Sequence, residues 1–144
     1  MQQAYAQQYH KSSMNFVEDN DDFVRLLEFV KKSKEIVIDT ETTGLEVWNK
    51  DEVCSIGLGI DANQYFIDLR TTKFDLSNLW FVLRLVPIII GHNIKFDLAG
   101  LLKLGYDPAK TQEMHDTIVM GRLTLTDRFP GLGLTDLIKR EIKI

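Results

Sequence analysis

The stretch "IVIDTETTGL", residues 36–45, decides the fold of this 144-residue chain. Three apolar residues run directly into two acids, Asp39 and Glu41, and Gly44 follows in a turn. Side chains two positions apart on a strand leave the same face of a sheet, so these carboxylates repel unless a cation or a donor lies between them. Mg²⁺ prefers such oxygen ligands, although a bare Asp-x-Glu is more often an exposed strand end. The stretch therefore indicates a metal site only if a further ligand lies nearby.

A second stretch, "IIIGHNIKFDLAGL" at residues 88–101, offers that ligand. An apolar strand ends at Gly91, Asn93 stands at the N-cap position of a helix, and Asp97 follows one turn later. Sites in open α/β sheets gather at the carboxyl ends of parallel strands. We therefore expect Asp97 to face Asp39 across neighbouring strands, although the helix dipole alone also explains an acid in a first helical turn.

The remaining pattern predicts an α/β fold, with a mixed five-stranded sheet flanked by helices. "PIIIG" contains no polar side chain and is typical of a central strand covered on both faces. "NFV", residues 15–17, is a candidate short strand outside this set, and "DAN", residues 61–63, is a candidate hairpin turn. The predicted strands lie at 35–41, 52–60, 64–69, 87–91 and 113–115. The predicted helices lie within 18–34 and at 76–85, 93–105, 117–125 and 134–141.

Length and composition indicate one globular domain. With 44% hydrophobic residues, the 144 residues suffice for one core and leave no room for a second domain of ordinary size. We assign the Gln-rich residues 1–14 to a flexible arm and residues 15–144 to the domain. The one cysteine, Cys54, cannot form an internal disulfide, and neither a signal peptide nor a membrane-spanning run is apparent. The composition favours a soluble cytoplasmic protein without a membrane partner.

Charge is distributed unevenly along the chain. The net charge of −4 at first argues against a nucleic-acid partner, because phosphate binding relies on Lys and Arg. Residues 15–68 carry 13 acids and 5 bases, whereas residues 69–144 carry 8 acids and 11 bases. The acids thus concentrate in the half that holds the first motif, which fits a site that gathers cations, although solvated helix ends and turns explain most of them.

Three segments together resemble a known family. "DTETTGL" (39–45) and "GHNIKFDLAGL" (91–101) are similar to the first two motifs of the proofreading 3′ to 5′ exonuclease domain of DNA polymerase I type enzymes. "HDTIVMGRLTLTDRFPGLGLTDLIKRE" (115–141) is similar to the helices that follow. These domains belong to the DEDD exonuclease superfamily. The resemblance implies a ribonuclease H-like fold and hydrolysis of phosphodiester bonds at DNA 3′ ends.

The resemblance also implies the residues of a site. Two divalent ions, Mg²⁺ or Mn²⁺, would be held by the catalytic carboxylates Asp39, Glu41 and Asp97. A single-stranded DNA 3′ end would contact the substrate-binding residues Thr42, Leu45, Asn93 and Phe96. Leu45 and Phe96 suit any base because stacking needs only an apolar or aromatic surface, although core packing explains Phe96 equally well. Trp48 is expected to be a packing or interface residue.

The family has a third motif, Tyr-x-x-x-Asp or His-x-x-x-x-Asp, which supplies a fourth carboxylate. No Tyr-x-x-x-Asp occurs in the 144 residues, and the pair His92 and Asp97 belongs to the second motif itself. Asp116 is predicted to be a helix N-cap and Asp127 a turn residue. We therefore expect a domain truncated at its C-terminus, whether as a piece of a longer protein, a split gene product or an inactive relic.

Two functions stay open. The first is an exonuclease that is weak or inactive alone. Its expected partners are a single-stranded DNA 3′ end, a DNA polymerase or a chain that supplies the third motif, and a second copy of the chain. The alternative is a non-catalytic nucleic-acid-binding or polymerase-binding module that keeps the exonuclease fold. The acids of the first two motifs favour the enzyme, and the lack of the third motif favours the module.

Overall fold

A computed structural model of the protein describes residues 13–124 and 131–142. A mixed sheet, with strand order β1-β4-β3-β2-β5-β6, is flanked by helices, which confirms the predicted fold class. The strands are Met14–Phe16 (β1), Glu35–Thr42 (β2), Val53–Ile60 (β3), Asn63–Asp68 (β4), Ile88–Gly91 (β5) and Glu113–Asp116 (β6). The helices are Asn20–Lys32 (α1), Leu76–Leu83 (α2), Ile94–Lys103 (α3), Thr117–Thr124 (α4) and Leu134–Ile142 (α5).

The sheet has six strands where the sequence predicted five. The additional strand is β1, which pairs in parallel with β4 at the edge of the sheet and places Met14 opposite Gln64. It overlaps the candidate short strand "NFV" at residues 15–17, so that prediction is confirmed with a shift of one residue. Residues 1–12, most of the predicted arm, lie outside the described residues.

The first helix forms as its sequence predicts. The Asp19 side chain caps α1 by accepting the N–H of Asp22 at 2.8 Å. Phe23, Leu26 and Val30 recur at helical spacing and are buried in the core. None of the helices described for residues 13–124 and 131–142 is long and apolar enough to span a membrane.

Strand β2 lies at the centre of the sheet, antiparallel to β3 and parallel to β5. Its side chains alternate between the two faces, as expected for a strand. One face is buried and carries Ile36, Ile38 and Thr40. The opposite face is exposed and carries Val37, Asp39 and Glu41. The alternation therefore holds both acids of the first motif on one accessible face of the central strand.

The loop that follows β2, residues 43–52, contacts α3. Gly100 lies at this contact, where an added Cβ would lie 2.8 Å from Cγ2 of Val53 and 3.3 Å from Cγ2 of Val47. The Val47 side chain is completely buried and anchors the loop in the core. Glycine at position 100 thus permits the close approach that brings this loop, called the 43–52 loop below, beside α3.

Candidate active site

Asp39 and Glu41 stand near the end of β2, on its exposed face. The residue opposite Asp39 on β3 is Gly57, which has no side chain to cover the carboxylate from that side. The register between β2 and β3 shifts directly after Glu41. Such an irregularity changes the direction of the chain at the end of the strand. The local structure therefore leaves both carboxylates accessible.

Asp97 occupies the first turn of α3 and is 4% exposed. One of its oxygens, Oδ1, accepts the backbone N–H of Thr40 at 2.8 Å and the Thr40 hydroxyl at 2.7 Å. Thr40 lies between Asp39 and Glu41 and points to the buried face of β2. These two bonds join the helix to the central strand at the first acidic motif, so the sequence prediction that Asp97 comes close to this motif is confirmed.

The environment of Asp97 opposes its ionisation. Burial raises the pKa of the Asp97 carboxyl, the hydrogen bonds from Thr40 offset part of that rise, and the negative charge of Asp39 raises the pKa further. An ionised Asp97 therefore has an uncompensated charge next to a second carboxylate. A divalent cation fits this donor set, because it compensates both charges and prefers carboxylate oxygens.

The three acids of the two motifs are not gathered into one cluster. Asp39 acts on Asp97 electrostatically, and Glu41 stands two positions further along the same face of β2. Among residues 13–124 and 131–142, no three His, Cys, Asp or Glu side chains are arranged to hold a metal ion. The ligand set Asp39, Glu41 and Asp97 thus stays a prediction.

The start of α3 is capped by a residue from another part of the chain. Asn93 occupies the N-cap position as predicted, but it has left-handed backbone angles (φ 62°) and its side chain makes no capping bond. The Asp116 carboxylate accepts the N–H groups of Asn93 at 3.1 Å and Ile94 at 3.2 Å instead. Its Oδ1 also accepts the N–H of Ile118 at 2.9 Å, which confirms the predicted cap of α4. Asp127 lies outside the described residues.

The four predicted substrate-binding residues occupy different environments. The Thr42 hydroxyl donates to the carbonyl oxygen of Gly44 at 2.6 Å. Leu45 is 83% exposed, and Asn93 is also exposed. Phe96 is half-buried and packs against the core. One part of its ring is therefore a core contact, as the packing alternative predicts, and the other part is accessible to a base.

Sequence reasoning missed the place of Trp48. Its ring meets that of Phe96 edge to face, with centroids 6.1 Å apart, although the two residues are far apart in sequence. The side chain is 60% exposed. No local pattern identifies this position, because the contact arises from the packing of the 43–52 loop on α3.

Asp97→Asn should raise the melting temperature of the metal-free protein near pH 8 and leave it almost unchanged near pH 4. The amide oxygen can still accept both bonds from Thr40, but the side chain no longer ionises. Because the pKa of Asp97 is raised on folding, its contribution to stability is present below its ordinary pKa of 3.8 and is lost as pH rises through the folded value. Each 1 kcal/mol gained in the free energy of unfolding raises the melting temperature by about 2–4 °C.

Thermal unfolding in chelator across this pH range measures the effect. Asp39→Asn serves as the companion variant, because it removes the neighbouring charge that raises the pKa of Asp97. A melting temperature that Asp97→Asn lowers equally at every pH would contradict this account.

Comparison with known proteins gives a family match and a relative in sequence. A family model described as 3′–5′ exonuclease matches residues 14–144. DNA polymerase I from Aquifex aeolicus (strain VF5) is 28% identical over 110 residues, which cover 75% of this chain and 17% of the polymerase. The chain therefore spans about one sixth of the length of that relative.

Two solved structures show the same fold. Escherichia coli RNase D, an exoribonuclease involved in structured RNA processing, matches with a TM-score of 0.72 and 19% identity over 92% of this chain and 34% of RNase D. Brucella melitensis NrnC with bound Mg²⁺ matches with a TM-score of 0.58 and 22% identity over 92% of this chain and 61% of NrnC. This likeness confirms the predicted ribonuclease H-like fold.

Proposed function

Because this chain belongs to the 3′–5′ exonuclease family of the DNA polymerase I type, we propose that it hydrolyses phosphodiester bonds at DNA 3′ ends. The observation that carries the proposal is the buried Asp97 carboxylate, which is bonded to Thr40 and whose pKa is raised by burial and, to a smaller extent, by the charge of Asp39. A buried carboxylate with a raised pKa costs stability, and such groups occur preferentially at functional sites.

The proposed chemistry needs no nucleophilic side chain. Asp39, Glu41 and Asp97 would hold two divalent ions, Mg²⁺ or Mn²⁺, which when bound activate water and stabilise the leaving 3′ oxygen. The protein's own contribution is to fix these carboxylates before substrate arrives. Thr40 does this for Asp97, since two hydrogen bonds hold one of its oxygens in place.

The substrate is a single strand whose last nucleotide is unpaired. Leu45 is exposed beside the acidic motif and offers an apolar surface to a base, and the accessible part of Phe96 offers an aromatic one. The Asn93 side chain makes no capping bond, so its amide is available to the terminal nucleotide. Thr42 is proposed to support this contact from the turn after β2, through its bond to Gly44.

DNA is the proposed substrate because the matching family model describes a 3′–5′ exonuclease and the relative in sequence is a DNA polymerase I. The corresponding biological role is proofreading during DNA replication, with a DNA polymerase as partner. RNase D is an exoribonuclease, and its 19% identity supports the fold alone. The choice between DNA and RNA is therefore a point for experiment.

A non-catalytic binding module is the second candidate. One observation favours it: the described residues contain no cluster of three side chains arranged to hold a metal ion. Such a module would bind single-stranded ends or a polymerase through the same surface without shortening the strand.

A 5′-labelled single strand incubated with excess protein and Mn²⁺ should be shortened slowly from its 3′ end, one nucleotide at a time. A fully paired end should be shortened about tenfold more slowly, because stacking on Leu45 and Phe96 requires an unpaired base. Gel analysis of the labelled products gives both the direction and the rate. An RNA strand of the same sequence, run in parallel, should be the poorer substrate.

Phe96→Ala should reduce the preference for single strands, whereas Phe81→Ala, an exposed aromatic on α2, should not. Shortening from the 5′ end, or a preference for paired ends, would refute the proposed function. A strand that is bound but never shortened would identify the binding module, and faster shortening of RNA would assign RNA as the substrate.

A further inference from the structure

The 43–52 loop exposes two large apolar side chains at the edge of the candidate site. Leu45 and Trp48 are 83% and 60% exposed. A tryptophan is usually covered by other residues, since its ring accounts for a large apolar surface. Large exposed side chains that stand together near a functional site mark a surface that binds something.

This loop is held rigidly despite its exposed side chains. The Asp51 carboxylate accepts the N–H of Glu46 at 2.7 Å and the Thr43 hydroxyl at 3.3 Å. The carbonyl oxygen of Glu46 accepts the N–H groups of Asn49, Lys50 and Asp51. From α3, the Lys103 amine donates to the carbonyl oxygen of Asp51 at 2.8 Å. A side chain presented by such a loop loses little conformational entropy when it binds a ligand.

Trp48 contacts Phe96, a residue of the candidate site. The two rings meet at 75° with their centroids 6.1 Å apart, so the edge of one ring faces the other. Phe96 directly precedes Asp97, which is bonded to the strand that carries Asp39. A strand whose terminal nucleotide lies at the acids and contacts Phe96 can therefore also reach the exposed ring of Trp48.

We propose that Trp48 stacks on an unpaired base of the bound strand and extends the base-binding surface beyond Leu45 and Phe96. This inference rests on the proposed function, since it places the strand at the acids. An aromatic face stacks on every base, so the contact adds affinity without sequence preference. Its loss weakens binding by roughly 5- to 150-fold, the range expected for one stacked base.

Tryptophan fluorescence tests the inference directly, because the chain has two tryptophans in different environments. Trp80 is 7% exposed and its indole N–H donates to the carbonyl oxygen of Leu104 at 3.0 Å, whereas Trp48 faces solvent. An oligothymidylate of about ten nucleotides, titrated in chelator to prevent hydrolysis, should quench the emission of the full chain. Trp48→Phe should abolish the quenching and keep the affinity within about threefold, since phenylalanine still stacks.

Anisotropy of a labelled oligonucleotide gives the affinities of the variants. Trp48→Ala should weaken binding by the stated range, and Phe81→Ala, 69% exposed on α2, should leave it unchanged. Thermal unfolding of each variant checks that it is folded.

Three results would overturn the inference. If Trp48→Ala binds as tightly as wild type while Phe96→Ala is weakened, Trp48 is not a base contact and the proposed function stands. If the wild-type chain binds no oligonucleotide, both the inference on Trp48 and the proposed function are wrong. If the emission of Trp48 instead shifts with protein concentration in the absence of DNA, and Trp48→Ala abolishes an oligomer, the ring is a contact between copies of the chain.

Discussion

Asp39→Ala should abolish the binding of Mg²⁺ and Mn²⁺ in calorimetric titration and lower the release of 3′-terminal nucleotides by about 10³-fold. The charge of Asp39 adds to the effect of burial in raising the pKa of Asp97, and a cation bound between the two carboxylates would relieve this repulsion. Asp39 is exposed and forms none of the hydrogen bonds that join α3 to β2. The variant should therefore fold as the wild type does, and its defect should be confined to the site.

Glu35→Ala is the matched control for this experiment. Glu35 is exposed on the same face of β2 as Asp39, but it lies at the other end of the strand, opposite Ile88. The two substitutions remove the same charge from one strand face, and the control should keep its metal affinity. Equal metal binding by wild type and Asp39→Ala would remove the metal site from the proposal.

A C-terminal extension that carries Tyr-x-x-x-Asp on a helix should raise nucleotide release by about 10²-fold, the loss that a misplacement of reacting groups by about 1 Å can cause. Three carboxylates, Asp39, Glu41 and Asp97, are too few to position two ions and the attacking water well. The added aspartate would provide a fourth ligand, and the tyrosine would orient the water. Release from a labelled single strand with Mn²⁺, compared with the 144-residue chain, measures the gain.

The same extension with Tyr-x-x-x-Asn is the matched control, because it adds the same length without the carboxylate. Supplying the segment as a separate chain tests the proposed partner. Robust cleavage by the 144-residue chain that Asp39→Ala abolishes would contradict the prediction, since a fourth ligand would then come from these residues. Asp116 would be the first to test, although three backbone N–H groups already occupy its carboxylate.

Local patterns were sufficient to predict most of the elements of this fold. The period of two in β2 and the helical spacing of Phe23, Leu26 and Val30 are properties of short segments, so the sequence reveals them directly. The approach of Asp97 to the first motif could also be predicted, because topology rules place the carboxyl ends of parallel strands together.

Contacts between distant segments account for what the sequence did not reveal. The sequence indicates the short strand β1, but its place beside β4 depends on pairing between distant segments. Asn93 has a residue type that favours capping, yet Asp116 caps α3, because the left-handed backbone of Asn93 turns its own side chain away from that role. The exposure of Trp48 depends on the packing of the 43–52 loop on α3, which no periodicity encodes.

The shared cap at Asp116 means that one carboxylate, at the end of β6, stabilises the starts of two helices. Loss of this carboxylate would remove the acceptor of the N–H groups of Asn93 and Ile94 at the start of α3 and of Ile118 in α4 at the same time. The loss of one helix cap costs about 0.5–2 kcal/mol. A substitution at Asp116 is therefore expected to destabilise two helix starts at once, including the one that carries Asp97.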